Sequence, residues 1–378
     1  MMVKILGDVV VSPPLYQGRR LACVFPVSCR LQDGAILCLY RRGQDKHSRD
    51  GVLVLQRSGD GGGTWSEPIT VHDALGQEQP ESVHTGGIVQ ANDGSIWAMF
   101  TTVPGVSPQS YIFSQAGRQL EHTFLVSRSD DGGRTWGKAV RQVLPNTPHL
   151  RYINVRPLAL PDNDLLVPIE VTMGDGRQAA MIGRYRPSQG VFTPFLPVGE
   201  DRTGRLSLGD PKLLRLGDGR ILLWLWAFTQ ATEETVHAHV CLSADEGRTW
   251  SEPQPTTRVC QNSALLNLGG GRVILAGNVR VPPEGIRLWL SQDNARTWDS
   301  SPPVRLWDAP TQRVLGEPMP PGGEGDRDPS SGKLWESLPG FTFGAPDLVP
   351  ANASASLLTY YALNEGTAEV RACRFLVG

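Results

Sequence analysis

Apolar residues along this chain come in short runs, each interrupted by a polar turn. RLQDGAILCLY, VQANDGSIWAMF, LALPDNDLLVPIE, LRLGDGRILLWLW and LNLGGGRVILAG share one layout of apolar run, turn and apolar run. Their turns are Asp33-Gly34, Asp93-Gly94, Asp162-Asn163, Asp218-Gly219 and Gly269-Gly270-Gly271. Asp-Gly between apolar runs predicts a tight hairpin, because such turns need positive φ. DLVPANASASLLTYY is a sixth copy without the glycine. A third alternating strand follows in each repeat, as in VLVLQRS, TFLVSRS, AHVCLS and RLWLS.

That third strand leads into a recurring octapeptide, SxDxGxTW. It stands at Ser58–Trp65, Ser129–Trp136, Ser243–Trp250 and Ser291–Trp298, the last with Ala295 in place of the glycine. The tryptophans are 71, 114 and 48 residues apart. The long gap holds two repeats, so one repeat lacks the motif, and RYRPSQGVF is its decayed remnant. Six repeats of about four strands predict an all-β, six-bladed β-propeller. The blades are expected over 28–75, 82–145, 152–199, 206–259, 260–308 and 343–378. The last repeat is one strand short, and the leftover strand Val3–Val11 is expected to close the ring as its outer strand. The segment 310–339, rich in Pro, Gly and charge, reads as a long loop insertion between blades five and six of one propeller domain, 1–378. In the octapeptide the Asp is expected to bind amides of its own turn, and the Trp to pack between neighbouring sheets.

Composition narrows the chemistry. Lys plus Arg is 36 and Asp plus Glu 38, a net charge of −2, which leaves no basic footprint for nucleic acid. No apolar run approaches the roughly 20 residues of a membrane helix. The six cysteines form no CxxC pair and read as buried reduced thiols. The N-terminus shows no secretory signal, so a cytoplasmic protein is expected. His237 and His239 alternate on one strand without a third ligand, and no phosphate loop or nucleophile elbow occurs; no metal or cofactor is expected.

The four octapeptides are the Asp-boxes of the sialidase (neuraminidase) superfamily, and the chain resembles a BNR-repeat, sialidase-like protein over nearly its whole length. The resemblance implies a substrate cleft at one end of the propeller axis, lined by first-strand starts and second-strand ends. Arg41, Arg42, Asp45, His47 and Asp50 fall there in blade one, His84 in blade two, Arg156 and Glu170 in blade three. Asp210 and Trp226 follow in blade four, Asn278 and Arg280 in blade five, Asp347 and Tyr361 in blade six.

Sialidases grip a carboxylate with three arginines, protonate with an Asp, and attack with a Tyr that a Glu activates, the named departure from two-carboxylate glycosidases. The match here is partial. Val24-Phe25-Pro26 stands where the family has Arg-Ile-Pro, and Trp226 replaces the second arginine, while Arg280 stands for the third. Asp210 takes the place of the activating Glu, Asp45 or Asp50 lies near the acid/base position, and Ala345 occupies the tyrosine position. What remains is a polar mouth. Arg41 or Arg42, Arg156 and Arg280 offer guanidinium forks for a carboxylate, with His84 beside them. Glu170 and Asp210, from adjacent blades, are expected to face each other across a glycosidic bond, with Asp50 and Tyr361 as further catalytic candidates. The expected function is a glycosidase acting on a terminal acidic sugar. A non-catalytic carbohydrate-binding propeller and a uronic-acid lyase, with Tyr361 or His84 as base, are the alternatives.

Overall fold

The structure, a computed structural model, describes residues 1–13, 15–112, 120–153, 155–299, 302–319 and 340–378. It is a six-bladed β-propeller. Blade one runs from the axis outwards through Ala22–Arg30, Ile36–Gly43, Val52–Ser58 and Ile69–His72. Blade two orders Glu81–Gln90, Ile96–Pro104, Thr123–Ser129 and Val140–Arg141 in the same way. Blade six holds Phe343–Pro350, Ala355–Asn364 and Thr367–Val377, and its outer strand is Val3–Val10, in register from Val3↔Val377 to Val10↔Arg371. The expected closure of the ring by the N-terminus is therefore present. Blade three turns without an Asp-box between Gln178–Arg186 and Val191–Phe192, where the remnant lies. The expected insertion begins as a fifth strand on blade five, Arg313–Pro318; positions 320–339 lie outside the described residues.

Six clusters of buried apolar side chains fill the six seams between blades. In Ile36–Gly43, Ile36, Cys38 and Tyr40 pack towards blade six, while Leu37 and Leu39 pack towards blade two. A strand sandwiched between two other sheets buries both faces, so it reads as a continuous apolar run rather than an alternation. All six cysteines are buried and no disulfide joins them. Burial pushes the Cys38 thiol up to about 12.

The Asp-boxes staple their own turns. Asp60 accepts from the amides of Gly63 and Thr64, both at 2.9 Å, from the Thr64 hydroxyl at 2.9 Å and from Ser58 at 2.8 Å. Asp131 and Asp245 repeat the pattern, and these bonds, with those to Thr135 and Thr249 foremost, hold both carboxyls down to about 2. The tryptophans differ from expectation. Only the Trp298 ring is buried, at 7% exposure, whereas Trp65, Trp136 and Trp250 are half-buried at the rim. Trp65, Trp136 and Trp250 pack against the margin of a seam cluster rather than within it, whereas Trp298 belongs to the cluster between blades four and five.

The box glycine, by contrast, presses on the preceding blade. Gly247 has φ +77°, and a Cβ there would lie 2.7 Å from Leu166 Cδ2 of blade three. Gly247→Ala should therefore cost about 2–4 kcal/mol, from a left-handed residue and an overpacked contact together. Urea unfolding measures it; an unchanged midpoint would show that the seam gives way freely.

Candidate functional site

At one end of the axis the inner strands are broken in the same manner. Register slips between Val24 and Val27, between Gly209 and Lys212, and between Gly344 and Asp347. Phe25, Asp210 and Ala345 sit there at φ 58°, 49° and 47°, each followed by proline. Proline suits a bulge because it has no N–H to leave unpaired, and the extra residue re-aims the neighbouring side chains. Blade two slips likewise between Val83 and Thr85, at His84.

Arg280 follows the second strand of blade five. Its guanidinium carbon lies 4.1 Å from the ring centres of both Phe341 and Phe343, and its Nε donates to Gln261 Oε1 at 3.3 Å. The Tyr361 hydroxyl is hydrogen-bonded to Arg280, and burial raises its pKa. Both groups crowd Gly344, where a Cβ would lie 2.9 Å from Arg280 Nη2 and 3.1 Å from Tyr361 Oη. Across the mouth, Lys46 Nζ donates to the Phe341 carbonyl at 3.2 Å and sits 5.8 Å from the Tyr361 ring centre. Burial, reinforced by the charge of Arg280, brings its ammonium down to about 7. Asp45 is exposed beside it, with Oδ1 accepting from the Lys46 amide at 2.6 Å and Oδ2 from the Tyr111 hydroxyl at 3.2 Å. Trp226 and Phe228 pack with Phe341 as an aromatic wall.

A histidine group lies beneath Phe25. The His47 ring is 5.4 Å from Phe25 and 6.0 Å from His84, and burial holds His47 well below its ordinary pKa. His84 Nδ1 is 2.8 Å from His122 Nε2, and His122 Nδ1 is 2.9 Å from the Leu120 carbonyl. A carbonyl only accepts, so His122 carries its proton on Nδ1, and His84 donates from Nδ1 to it. His84 thus serves this buried pair, at 2% exposure, rather than the open mouth.

The other expected site residues are spent within the protein. Arg41, 1% exposed, donates from Nε to the Val83 carbonyl at 3.0 Å, from Nη1 to the Asp45 carbonyl at 2.7 Å, and from Nη2 to the Ser48 carbonyl. Asp50 closes the same loop, accepting from the Gln44 amide at 2.9 Å and the Ser48 hydroxyl at 2.5 Å. Arg42 points to the opposite face, 3.3 Å from the Tyr16 ring centre. Arg156 reaches across the axis to the carbonyls of Ser28 and Leu348, both at 3.0 Å, and to Asp347 at 3.6 Å. Glu170 and Asp210 do meet, but not as facing carboxylates: Glu170 Oε2 accepts the Asp210 amide at 2.7 Å, and Asp210 Oδ1 pairs with Lys212 Nζ at 2.9 Å. Burial raises the Asp210 pKa against the pull of Lys212. Of the expected residues, Asp45, Trp226, Arg280 and Tyr361 share the mouth.

Lys46, His122, Gln261 and Phe341 were not singled out from the sequence. Lys46 lies in a polar loop, where a lysine ordinarily reads as solvated; only its place between Asp45 and His47, two residues that were singled out, gave a signal.

The BNR repeat-like domain family matches residues 34–315. No curated protein sequence matches the chain. Among solved structures, a protein of unknown function from Dyadobacter fermentans has a TM-score of 0.75 at 16% identity, over 100% of this chain and 99% of its own. A Hadza microbial sialidase gives 0.64 at 15% identity, over 93% of this chain and 65% of its own. The Trypanosoma rangeli sialidase gives 0.62 at 13% identity, over 97% of this chain and 57% of its own. The chain thus spans less than two thirds of either sialidase, and at these identities the likeness is one of fold.

Proposed function

The chain belongs to the BNR repeat-like family, and on that premise we propose that its axial mouth binds an acidic sugar and hydrolyses the glycosidic bond next to it, as a sialidase-like enzyme would. One observation carries the reading. Two cationic side chains from different blades, Arg280 and Lys46, converge on the same aromatic residues, Phe341 and Tyr361.

A guanidinium held against two rings can present a fork to a carboxylate. Lys46, with a pKa near 7, becomes fully charged again when an anion arrives beside it. Phe341, half-buried against Trp226 and Phe228, offers the apolar surface that a sugar face needs. In the hydrolysis, water adds across the C–O bond: its hydroxyl goes to the anomeric carbon and a proton to the leaving oxygen. Asp45 is the exposed carboxyl group able to deliver that proton. Tyr361 is the oxygen able to meet positive charge developing at the anomeric carbon.

A panel of aryl glycosides of sialic, glucuronic and galacturonic acids, with an arabinoside as neutral control, tests the proposal. Turnover on an acidic member and none on the arabinoside is expected, with Asp45→Asn lowering kcat by about 100-fold or more. Calorimetric binding without cleavage would reduce the protein to a sugar binder. An unsaturated, ultraviolet-absorbing product would make it a lyase, and neither binding nor turnover by folded protein would overturn the reading.

A further inference from the structure

Lysine is rare in this chain. Of the 36 basic residues five are lysines, Lys4, Lys46, Lys138, Lys212 and Lys333. Arginine supplies most of the buried cations, Arg41 and Arg287 among them. Two lysines, Lys46 and Lys212, are buried as well, and their surroundings differ. Lys212 Nζ lies 2.9 Å from the Asp210 carboxylate, which holds it as an ammonium. Lys46 Nζ stands over aromatic rings, 5.7 Å from the centre of Phe341 and 5.8 Å from that of Tyr361, and donates to the Phe341 carbonyl at 3.2 Å. The Arg280 guanidinium carbon lies 4.1 Å from the same Phe341 centre.

Desolvation and a neighbouring cation are the two conditions that turn a lysine into a nucleophile. Lys46 meets both, and they act together to bring its pKa to about 7 against the pull of Asp45. An amine placed there loses its proton near neutral pH, which a guanidinium does not do. A hydrogen bond donated to a carbonyl leaves the lone pair of the amine unused, and that lone pair is what attacks. The amine calls for a ligand with an aldehyde or ketone carbon. Arg280 calls for a carboxylate on the same ligand. The Phe341 and Tyr361 rings beside them suit the short carbon chain that joins the two groups.

We propose that the axial mouth captures a short oxo acid covalently, as an imine on Lys46 with the carboxylate on Arg280. The Lys46 nitrogen adds to the carbonyl carbon and gives a carbinolamine. The C–O bond then breaks, and the oxygen leaves as water with both hydrogens of the amine. A C=N bond replaces the C=O bond, nothing is oxidised or reduced, and water reverses the step. The inference shares residues with the sugar site proposed above, but it needs no glycosidic bond to be cut.

The test incubates the full-length protein with pyruvate, levulinate or acetone in mildly alkaline buffer, adds sodium cyanoborohydride, and locates the reduced adducts by peptide mass spectrometry. Pyruvate or levulinate should label Lys46 about tenfold or more above the exposed Lys4 and Lys138. Acetone has no carboxylate and should label Lys46 about tenfold less at the same concentration. Lys46→Arg keeps the cation and a donor for the Phe341 carbonyl, and should lose the adduct. Arg280→Gln should bring the oxo acids down to the level of acetone; the acetone comparison in wild type decides the role of Arg280 even where that variant does not fold. The proposal falls if neither oxo acid labels Lys46 above Lys4, if Lys46→Arg is labelled as wild type is, or if acetone labels Lys46 as well as the acids do. Turnover of the aryl glycosides bears on hydrolysis alone, so the two readings fail separately.

Discussion

Arg41→Met should destabilise the protein by about 3–5 kcal/mol and abolish binding at the axial mouth, although Arg41 touches no ligand. The guanidinium is 1% exposed and burial lowers its pKa to about 10, so it is still charged at pH 7. Its donors end on the carbonyls of Val83, Asp45 and Ser48, with Asp50 Oδ1 3.9 Å away. Methionine fills much of the volume but removes all three of these hydrogen bonds and takes the paired cation from Asp50. The loop these bonds close carries Asp45, Lys46 and His47, so the loss reaches the mouth through the backbone. Space there is tight: a Cβ on Gly51 would lie 2.2 Å from the Val83 carbonyl and 2.6 Å from Arg41 Nε. Arg41→Lys keeps the charge and loses the fork, and should fall between the two. Urea unfolding measures the stability, and calorimetry with the acidic sugar measures the mouth. A methionine variant that unfolds like wild type and still binds would make the loop self-supporting.

The same arginine marks where sequence stops being informative. Hairpins are local events, set by two turn residues and the runs beside them, so Asp33-Gly34 and its fellows could be read directly. The closure by Val3–Val10 followed from counting strands, because the last repeat holds three strands where the others hold four and one strand at the N-terminus is left over. Which strand ends face the axial cleft came from the family resemblance, and that is how Arg280 and Tyr361 became candidates. What a side chain does at such a position depends on which carbonyls and rings come near in three dimensions. Arg41, Arg156 and Arg280 look equivalent in the chain. Arg41 is consumed by its own loop, Arg156 by carbonyls of blades one and six, and Arg280 by two phenylalanines that leave its edge near Tyr361. Asp45 and Asp50 divide in the same way: the first is exposed beside Lys46, the second turns inwards on Gln44 and Ser48. None of these partners has a fixed spacing from its arginine or aspartate, so no motif could have reported them. The half-burial of Trp136 was equally hidden, since the same box position buries Trp298 and leaves Trp136 at the margin of its seam cluster.

Arg280→Lys should weaken binding of the acidic sugar by about 1.5–3 kcal/mol, roughly 10- to 150-fold in affinity, and leave neutral sugars unaffected. The arginine lies against Phe341 and Phe343, each ring centre 4.1 Å from its guanidinium carbon, with Nε anchored by Gln261. That clamp removes most of the freedom the side chain would otherwise lose on binding, so its orientation is set before a carboxylate arrives. Lysine puts one compact ammonium into a slot shaped for a plane and cannot form two parallel bonds. It would also stand near Lys46, whose pKa Arg280 already lowers, so charge at the mouth would be retained while geometry is lost. The stacking itself contributes to the fold, and the variant should lose about 0.5–1 kcal/mol of stability, far less than Arg41→Met. Calorimetry with the acidic sugar, at ionic strengths spanning the screening range, separates the two contributions: a point-charge attraction falls with salt in both proteins, whereas the advantage of arginine over lysine, being a matter of paired hydrogen bonds, should persist. Equal affinities for the two proteins, or a lysine variant that fails to fold, would make Arg280 a packing residue and leave the carboxylate without its fork.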